Sequence, residues 1–502
     1  MSHIGPTASL AIAIALAAPA ACQRPDSPQP VDHPVIESFA SRVFELGLAP
    51  AMAVAVVQGD SIVYLDAFGL ADIERGRPAT IETGFYIASS TKPFVGLAAS
   101  LLHARGEIDL DAAVTDYLPD AELPQDDGSP LSLRDLLTHT HGVSNDGPLT
   151  FRAAFSGAGE RDEMIALIGE HGPAEAGRAF EYGNVGYNVA SLALATALGE
   201  TWKQTVGRDI LEPVGMAATT PNVSTLDSAS LAMPYAAEAE GFSRRHYAKT
   251  DANMHAAGGL VTTAADLARW LEVNMSGGTV DGRRVFPEEV LAEAHRPHAT
   301  QDNAFDEFTR EGYGLGWHVG HYKGERQLHH FGGFSGFHAH VSFMPERRIG
   351  VAVVTNESTV GSLLALLTAR FAYDVLLDTP DLEAQADSLL ERFGAQVEMM
   401  RGRIGEDRAR RAARPAQPAR PFGDYAGAYA NAQWGTIVFA LEGDGMVATM
   451  GPLRSGVEVL DISREALRVE LTGRGSVASF VFGDAPRAEA VVVFGQRFER
   501  LP

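Results

Sequence analysis

Two pairs of strand-like runs flank a long helical segment, and this order constrains the fold more than any other feature of the chain. The first pair, 52–57 and 62–65, is joined by a Gly-Asp turn. The second pair, 338–344 and 349–354, follows the helical segment. Helical periodicity precedes the first pair and resumes at 362–377 after the second. This order predicts an α+β fold, an antiparallel sheet flanked by helices with an added helical subdomain.

The α+β unit spans 35–378. The composition of the chain after it indicates two further segments. Residues 379–420 are polar, with an Arg-rich stretch and Ala-Arg-Pro repeats, and predict a helical linker. The Arg-rich stretch, 401–411, is typical of a solvated helix face, with a binding patch as the alternative. Short apolar runs separated by Gly and Asp recur over 421–502 and predict a small antiparallel β-sandwich or barrel.

The first 22 residues are typical of an export signal. Their apolar run, 10–21, is shorter than the roughly 20 residues of a membrane-spanning helix and ends in small residues. Cys22, the single cysteine, follows it and resembles the acylated first residue of a bacterial lipoprotein; ordinary cleavage is the alternative. Residues 23–34 then form a tether rich in Pro and Asp. We predict an exported protein, periplasmic or anchored on the periplasmic side through Cys22, without an intrachain disulfide.

The formal net charge of −24 restricts the partners. Phosphate binding requires a basic surface, so nucleic acid is not an expected partner. No Gly-rich phosphate loop is present, and no cofactor is predicted. Two His-x-His pairs, His139/His141 and His338/His340, leave a metal site as an alternative, although no third ligand completes a known zinc pattern. The sequence leaves the oligomeric state open.

A serine and a lysine three residues apart precede a mostly apolar helix at 94–102. Residues at this spacing share a helix face, so the Lys92 amine can reach the Ser89 hydroxyl. A serine hydroxyl needs a base before it becomes a good nucleophile, and a helix N-terminus favours negative charge beside it. A surface serine with a solvated lysine is the alternative. Because Lys92 lies in an apolar context, where a lysine requires a reason, the pair predicts nucleophilic catalysis.

The segment Phe180-Glu-Tyr-Gly-Asn-Val-Gly-Tyr supplies two further polar groups. A neighbouring cation lowers the pKa of a phenol, so Tyr182 beside Lys92 is a candidate general base. Asn184 contributes an amide. The alternative is that Tyr182 and Tyr187 are ordinary core aromatics beside a Gly-rich turn.

The segment His330-Phe-Gly-Gly-Phe-Ser-Gly-Phe directly precedes a predicted strand. Its glycines, Gly332 and Gly333, allow the backbone to approach a ligand closely. An edge strand at this point offers N–H groups to an oxyanion. A Gly-rich hairpin with an incidental histidine is the alternative.

Taken in this order, the three motifs resemble the serine β-lactamase-like family of class C β-lactamases, D-alanyl-D-alanine carboxypeptidases, related esterases and D-aminopeptidases. Those enzymes carry Ser-x-x-Lys, then Tyr-x-Asn, then Lys/His-x-Gly before the final strands. Similar landmarks extend the resemblance over about 35–378: Leu131-Ser-Leu-Arg-Asp-Leu-Leu-Thr-His-Thr-His-Gly, Leu211-Glu-Pro-Val-Gly-Met, Gly258-Gly-Leu-Val-Thr-Thr-Ala-Ala-Asp-Leu-Ala and Gly350-Val-Ala-Val-Val-Thr-Asn. The stretch from Tyr425 to Phe498 resembles a lipocalin-like domain appended to some members, which would serve oligomerisation, partner binding or covering of the cleft.

The resemblance implies a β-lactamase/transpeptidase-like fold and a set of site residues. Tyr182 would act as the base with Lys92 as its electrostatic partner, and the N–H groups of Ser89 and Gly333 would form the oxyanion hole. His330 would line the cleft, and Asn184 would hydrogen-bond Lys92 or the substrate. The implied catalytic residues are Ser89, Lys92 and Tyr182, and the implied substrate-binding residues are Asn184, His330, Gly332 and Gly333.

His330 stands where many β-lactamases and carboxypeptidases have lysine. Histidine is mostly neutral at pH 7 and suits a substrate carboxylate less well than a permanent cation. We therefore predict a serine hydrolase that acts through an acyl-enzyme on a peptide, amide or ester, with β-lactams left open. The alternative is a penicillin-binding-like sensor or scaffold that is acylated without efficient turnover. His141 also departs from the family pattern, which usually has serine there.

Overall fold

The computed structural model describes residues 29–123, 128–157, 159–245 and 249–502. The export-like segment and Cys22 lie outside these ranges, so export and lipid attachment stay predictions. Among the helices of the described ranges, none is both long enough and apolar enough to cross a membrane.

The α+β unit contains the elements from α1 to α12 and from β1 to β15. Its strands are β1 (Ala51–Gln58), β2 (Ser61–Asp72), β3 (Arg77–Pro78), β4 (Phe85–Tyr86), β5 (Tyr235–Ala237), β6 (Phe242–Arg244), β7 (Val261–Thr262), β8 (Thr279–Val280), β9 (Arg283–Arg284), β10 (Ala299–Phe305), β11 (Phe308–Tyr313), β12 (His318–Tyr322), β13 (Glu325–Phe334), β14 (Phe337–Met344) and β15 (Ile349–Thr355). Its helices are α1 (Pro34–Phe44), α2 (Lys92–Ala104), α3 (Val114–Tyr117), α4 (Leu133–Leu137), α5 (Pro148–Phe151), α6 (Arg161–Ala166), α7 (Val185–Leu198), α8 (Trp202–Val206), α9 (Glu212–Val214), α10 (Ala264–Met275), α11 (Glu288–His295) and α12 (Gly361–Leu376).

The main sheet is antiparallel and has the strand order β10-β11-β12-β13-β14-β15-β1-β2-β3. Alternate residues of β1 enter different cores, because successive side chains of a strand point to opposite faces. Met52 and Val54 pack in the core that contains α1 and α12, whereas Ala53 and Ala55 pack in the core that contains α2 and α10. Helices thus cover both faces, which explains the uninterrupted apolar run of β1. The predicted α+β fold with flanking helices and a helical insert is confirmed.

The C-terminal part forms a second sheet. Its strands are β16 (Gly427–Asn431), β17 (Gly435–Glu442), β18 (Gly445–Met450), β19 (Leu453–Gly456), β20 (Glu458–Asp461), β21 (Ala466–Val469), β22 (Ser476–Val481), β23 (Ala490–Val493) and β24 (Gln496–Arg500). They pair in the order β19-β18-β17-β16-β24-β23-β22-β21-β20, a nearly closed antiparallel sheet around one apolar core. The predicted small antiparallel β-domain is confirmed, while its likeness to lipocalins stays a prediction.

A long helix, α13 (Leu382–Ala412), and a short one, α14 (Phe422–Tyr425), connect the two parts. The Arg-rich stretch of α13 makes specific contacts with both. Arg408 Nε lies 3.0 Å from the Glu238 carboxylate of the α+β unit, and Arg411 Nε lies 2.9 Å from the Glu458 carboxylate of the β-domain. These ion pairs tie the β-domain to the α+β unit, so the stretch is more than a solvated face.

Candidate active site

Ser89 lies in a short 3₁₀ turn, Ala88–Thr91, that leads directly into α2. Pro93 is tolerated in the first turn of α2, because that turn has no intrahelical N–H bond to lose. Ala88 has a φ of +45°, an uncommon value for a residue with a side chain. The turn is held from two sides: the Ser90 hydroxyl donates to the His330 carbonyl over 3.0 Å, and the Ile87 N–H donates to the Leu260 carbonyl over 3.0 Å. Ser89 is therefore presented to the cleft by a constrained backbone.

The Lys92 amine is fully buried and faces three oxygen atoms. Its Nζ lies 3.1 Å from Ser89 Oγ, 2.9 Å from Asn184 Oδ1 and 2.8 Å from the carbonyl oxygen of Ala257. No carboxylate forms an ion pair with Lys92 in the part of the chain that the structure describes. Burial therefore lowers the pKa of Lys92 well below that of an ordinary lysine. Of its three partners, only the Ser89 hydroxyl can donate a proton in return.

The Tyr182 hydroxyl also hydrogen-bonds the Ser89 side chain. The residue is 39% exposed, and its ring centroid lies 4.9 Å from the Lys92 Nζ. Desolvation nevertheless raises the pKa of the phenol, and the hydrogen bond to Ser89 and the charge of Arg310 offset only part of that increase. Tyr182 is thus a protonated phenol at neutral pH, beside an amine whose pKa is lowered by burial.

Asn145 orders the turn that carries Tyr182 and Asn184, and no sequence motif singled it out. Its Oδ1 accepts hydrogen bonds from the backbone N–H of Asn184 over 2.5 Å and of Val185 over 3.2 Å. Asn145 also lines the cleft. Its function is visible only in the structure, because an isolated asparagine after a Gly-Val-Ser turn is typical of any loop.

His139 supports the same turn from below. Its ring centroid lies 4.6 Å from that of Tyr182 and 4.7 Å from that of Tyr313, and its carbonyl accepts the Glu181 N–H over 2.9 Å. Burial lowers the pKa of His139 well below its ordinary value, so the imidazole is neutral. His139 therefore acts as a packing group beneath the site.

The metal alternative on the His-x-His pairs gains no support from the geometry. The rings of His139 and His141 are 6.4 Å apart, and His141 Nδ1 accepts the Val143 N–H over 3.0 Å. His340 Nε2 lies 2.7 Å from the Ser342 hydroxyl. His141 and His340 thus each make a local hydrogen-bonding contact.

His330 lies beneath the cleft rather than along it. The residue is 1% exposed, and its Nε2 lies 3.2 Å from the Tyr313 hydroxyl while its Nδ1 lies 2.9 Å from the Phe331 carbonyl. Burial lowers the pKa of His330 well below its ordinary value. Any influence of this imidazole on a substrate therefore passes through its aromatic neighbours Tyr313 and Tyr182, whose ring is 5.9 Å away.

The two glycines of β13 have different surroundings. A Cβ on Gly332 would overlap the carbonyl oxygen of Ile87 and lie 3.1 Å from the Ser90 nitrogen. Gly333 is exposed in the cleft, and a Cβ there would meet only His338 Nδ1, at 3.8 Å. Gly332 thus lets β13 approach the turn that carries Ser89, and Gly333 offers backbone at the cleft surface.

We expect Gly332→Ala to destabilise the fold by about 1–3 kcal/mol, because the added methyl group must displace backbone atoms rather than a side chain. Gly333→Ala is the matched control and should leave the thermal unfolding midpoint unchanged. Differential scanning calorimetry of both variants measures the contrast, and equal midpoints would contradict the close approach described for Gly332.

The cleft beside Ser89 has a volume of about 600 Å³. Ser89, Asn184 and Gly333 lie on its wall together with His255, which the sequence analysis did not identify. His255 Nδ1 lies 3.0 Å from Asn188 Oδ1, which fixes the orientation of the ring. Among the described residues that line the cleft, none is lysine or arginine.

Comparison with known sequences identifies the family. The sequence profile described as Beta-lactamase matches residues 40–373. The chain belongs to the Beta-lactamase family. A segment of 326 residues, 64% of this chain, is 23% identical to Protein flp of Staphylococcus aureus (strain MW2) and spans 62% of that protein's length. A shorter segment of 206 residues, 41% of this chain, is 34% identical to Esterase EstB of Burkholderia gladioli and spans 50% of that protein.

Solved structures show the same fold. The octameric penicillin-binding protein homologue from Pyrococcus abyssi superposes with a TM-score of 0.58 at 21% identity, over 92% of this chain and 98% of its own. EstCE1, described as a hydrolase with promiscuous acyltransferase activity, superposes with a TM-score of 0.58 at 21% identity, over 67% of this chain and 99% of its own. The predicted β-lactamase/transpeptidase-like fold is confirmed, and family membership with esterase relatives supports the broader expectation of a serine hydrolase.

Proposed function

We propose that this member of the Beta-lactamase family hydrolyses carboxylic esters through an acyl-enzyme on Ser89. One observation carries the proposal: the buried Lys92 amine lies 3.1 Å from Ser89 Oγ at the wall of an open cleft. A neutral amine has one lone pair and two N–H groups. The N–H groups can donate to Asn184 Oδ1 and the Ala257 carbonyl, which leaves the lone pair for the Ser89 proton.

The proposed steps follow from this arrangement. Lys92 accepts the Ser89 proton as the oxygen attacks the ester carbonyl. The N–H groups of Ser89 and Gly333 stabilise the oxyanion, and the close approach at Gly332 supports this role because it brings β13 against the nucleophile turn. The protonated Tyr182 phenol donates its proton to the departing alkoxide. The Lys92 ammonium returns its proton to the Tyr182 phenolate. Water then attacks the acyl-enzyme and gives a proton to the Lys92 amine, which passes it to the departing Ser89 oxygen, so the acid product is released and both residues regain their starting state. The residue we assign as base thus differs from the sequence expectation, which gave that role to Tyr182.

The cleft favours a neutral ester over a substrate that carries a free carboxylate group. No lysine or arginine side chain lines the described part of the cleft, and an exposed carboxylate, Asp146, does. A carboxylate brought there would meet a like charge and no lysine or arginine side chain on the described cleft wall. The similarity to Esterase EstB agrees with this choice of substrate class.

The proposal is tested with a fluorophosphonate probe and p-nitrophenyl butyrate. We expect labelling and turnover in the wild type and in Ser228→Ala, a control at an exposed serine that does not line the cleft, and neither in Ser89→Ala. Ester turnover should exceed that of the β-lactam nitrocefin. Absence of Ser89-dependent labelling would contradict the assignment of Ser89 as the nucleophile. Labelling without turnover of any ester, D-peptide or β-lactam would favour the sensor function.

A further inference from the structure

Three residues of the C-terminal β-domain reach the catalytic cleft. Trp434, Phe494 and Gln496 line the same cavity as Ser89, although they belong to a different domain. Trp434 lies in the turn between β16 and β17, and Phe494 lies in the turn between β23 and β24. We propose that these two hairpin tips, together with Phe151 and Phe155, form an aromatic subsite that binds an aryl group of the ester substrate. This inference rests on the proposed esterase function.

Continuous ring contacts connect the hairpin tips with the vicinity of the nucleophile. Phe151 is the centre of the set, with ring centroids 5.1 Å from Phe494, 5.2 Å from Trp434 and 5.5 Å from Phe155. Phe155 is followed by Phe334, at 5.3 Å, which is the residue after Gly333. Such rings offer both stacked and edge-to-face contacts, which suit a flat aromatic group better than a flexible polar one.

The backbone of Phe494 is the strongest indication that this aromatic side chain has a function. Phe494 and Gly495 form a two-residue hairpin turn with φ values of +56° and +73°. A turn with two positive φ values favours Asn-Gly, because a bulky side chain is strained in that region. This chain nevertheless has phenylalanine at the first position of the turn, and its ring lies on the cleft wall. Strained residues of this kind concentrate at ligand sites.

Asn431 joins the two tips into one unit. Its Oδ1 accepts the backbone N–H groups of Gln433 and Trp434 over 3.0 and 3.1 Å, and its Nδ2 donates to the Arg497 carbonyl over 3.0 Å. The turn that carries Trp434 is therefore fixed against the strand that follows Phe494. With the β-domain held by the ion pairs of α13, the aromatic wall has a defined position relative to Ser89.

The charge of the cleft indicates which aryl groups fit. Its described lining contains the Asp146 carboxylate and no lysine or arginine side chain. This favours a neutral phenyl group over one that carries a carboxylate. Removing one aromatic side chain from such a wall should change the ratio of kcat/KM for a phenyl-bearing ester to kcat/KM for an alkyl ester by roughly 10–100-fold.

The test compares benzyl acetate and ethyl phenylacetate with ethyl acetate. We expect the wild type to hydrolyse at least one of the two phenyl-bearing esters with a higher kcat/KM than ethyl acetate. Trp434→Ala and Phe494→Asn should each reduce that preference at least tenfold, while kcat/KM for ethyl acetate changes less than threefold. Leu441→Ala, an exposed residue of β17 away from the cleft, is the control and should keep the preference. An unchanged preference, or an equal loss on all three esters, would overturn the proposal.

Two further measurements separate this inference from the esterase proposal and from misfolding. Asparagine suits the Phe494 turn, so the unfolding midpoint of Phe494→Asn should stay within a few degrees of the wild type. Binding of phenylacetone, an unreactive ketone, is measured by NMR saturation transfer on Ser89→Ala with and without Trp434→Ala. Loss of binding in the double variant supports the subsite even if no ester is turned over, and equal binding would contradict it.

Discussion

Lys92→Met is expected to lower the rate of Ser89 acylation by roughly 10³–10⁴-fold, the upper range for loss of a general base. Methionine retains the length and apolar character of the lysine side chain but provides no lone pair for the serine proton. Fluorophosphonate labelling rates and kcat/KM for p-nitrophenyl butyrate measure the loss. Lys203→Met is the matched control, because Lys203 also contacts an asparagine oxygen and a backbone carbonyl, at 3.2 and 2.6 Å, and does not line the cleft.

The pH dependence of the wild type distinguishes the two candidate bases. An ammonium group cannot accept the proton, so with Lys92 as base kcat/KM is lost as pH falls through the lowered pKa of Lys92 and is level above it. A tyrosinate base would instead let kcat/KM keep rising through alkaline pH toward the raised pKa of Tyr182. A continued rise at alkaline pH would contradict the assignment of Lys92.

Much of the site could be predicted because its chemistry is local in sequence. A spacing of three places Lys92 beside Ser89, and the β1–β2 and β14–β15 hairpins follow from pairs of apolar runs separated by polar turn residues. At the start of α10, only half of a capping box forms around Thr263. Its hydroxyl accepts the Asp266 N–H, but the Asp266 carboxylate turns to Thr219, 2.7 Å away in another segment. Tertiary contacts thus override a local rule as soon as a better partner exists.

The orientation of His330 could not be predicted from its motif. On a strand, residues two apart share a face, so His330 lies on the side of Gly332, which packs against the turn that carries Ser89. The pattern identified a histidine near the site without showing which face is buried. Trp434 and Phe494 were beyond prediction for a different reason. They reach Ser89 only through docking of one domain on another, and no periodicity in either domain encodes that contact.

Tyr182→Phe is expected to lower kcat/KM for ethyl butyrate by roughly 100-fold or more, and for p-nitrophenyl butyrate by less than about tenfold. Ethoxide is a poor leaving group and needs the proton that the Tyr182 phenol supplies. The p-nitrophenolate ion leaves without one. The removed hydroxyl affects only the step in which the leaving group departs, so the two esters should respond differently.

Tyr187→Phe provides the control for this comparison, because the Tyr187 hydroxyl donates to the Leu137 carbonyl over 2.9 Å. We expect it to leave both rates within a few-fold of the wild type. Equal losses of 100-fold or more on both esters in Tyr182→Phe would place Tyr182 at the Ser89 proton instead, as the base that the sequence suggested. The ratio of the two losses therefore assigns the proton of Tyr182 to either the leaving group or the nucleophile, since the acyl group is the same in both substrates.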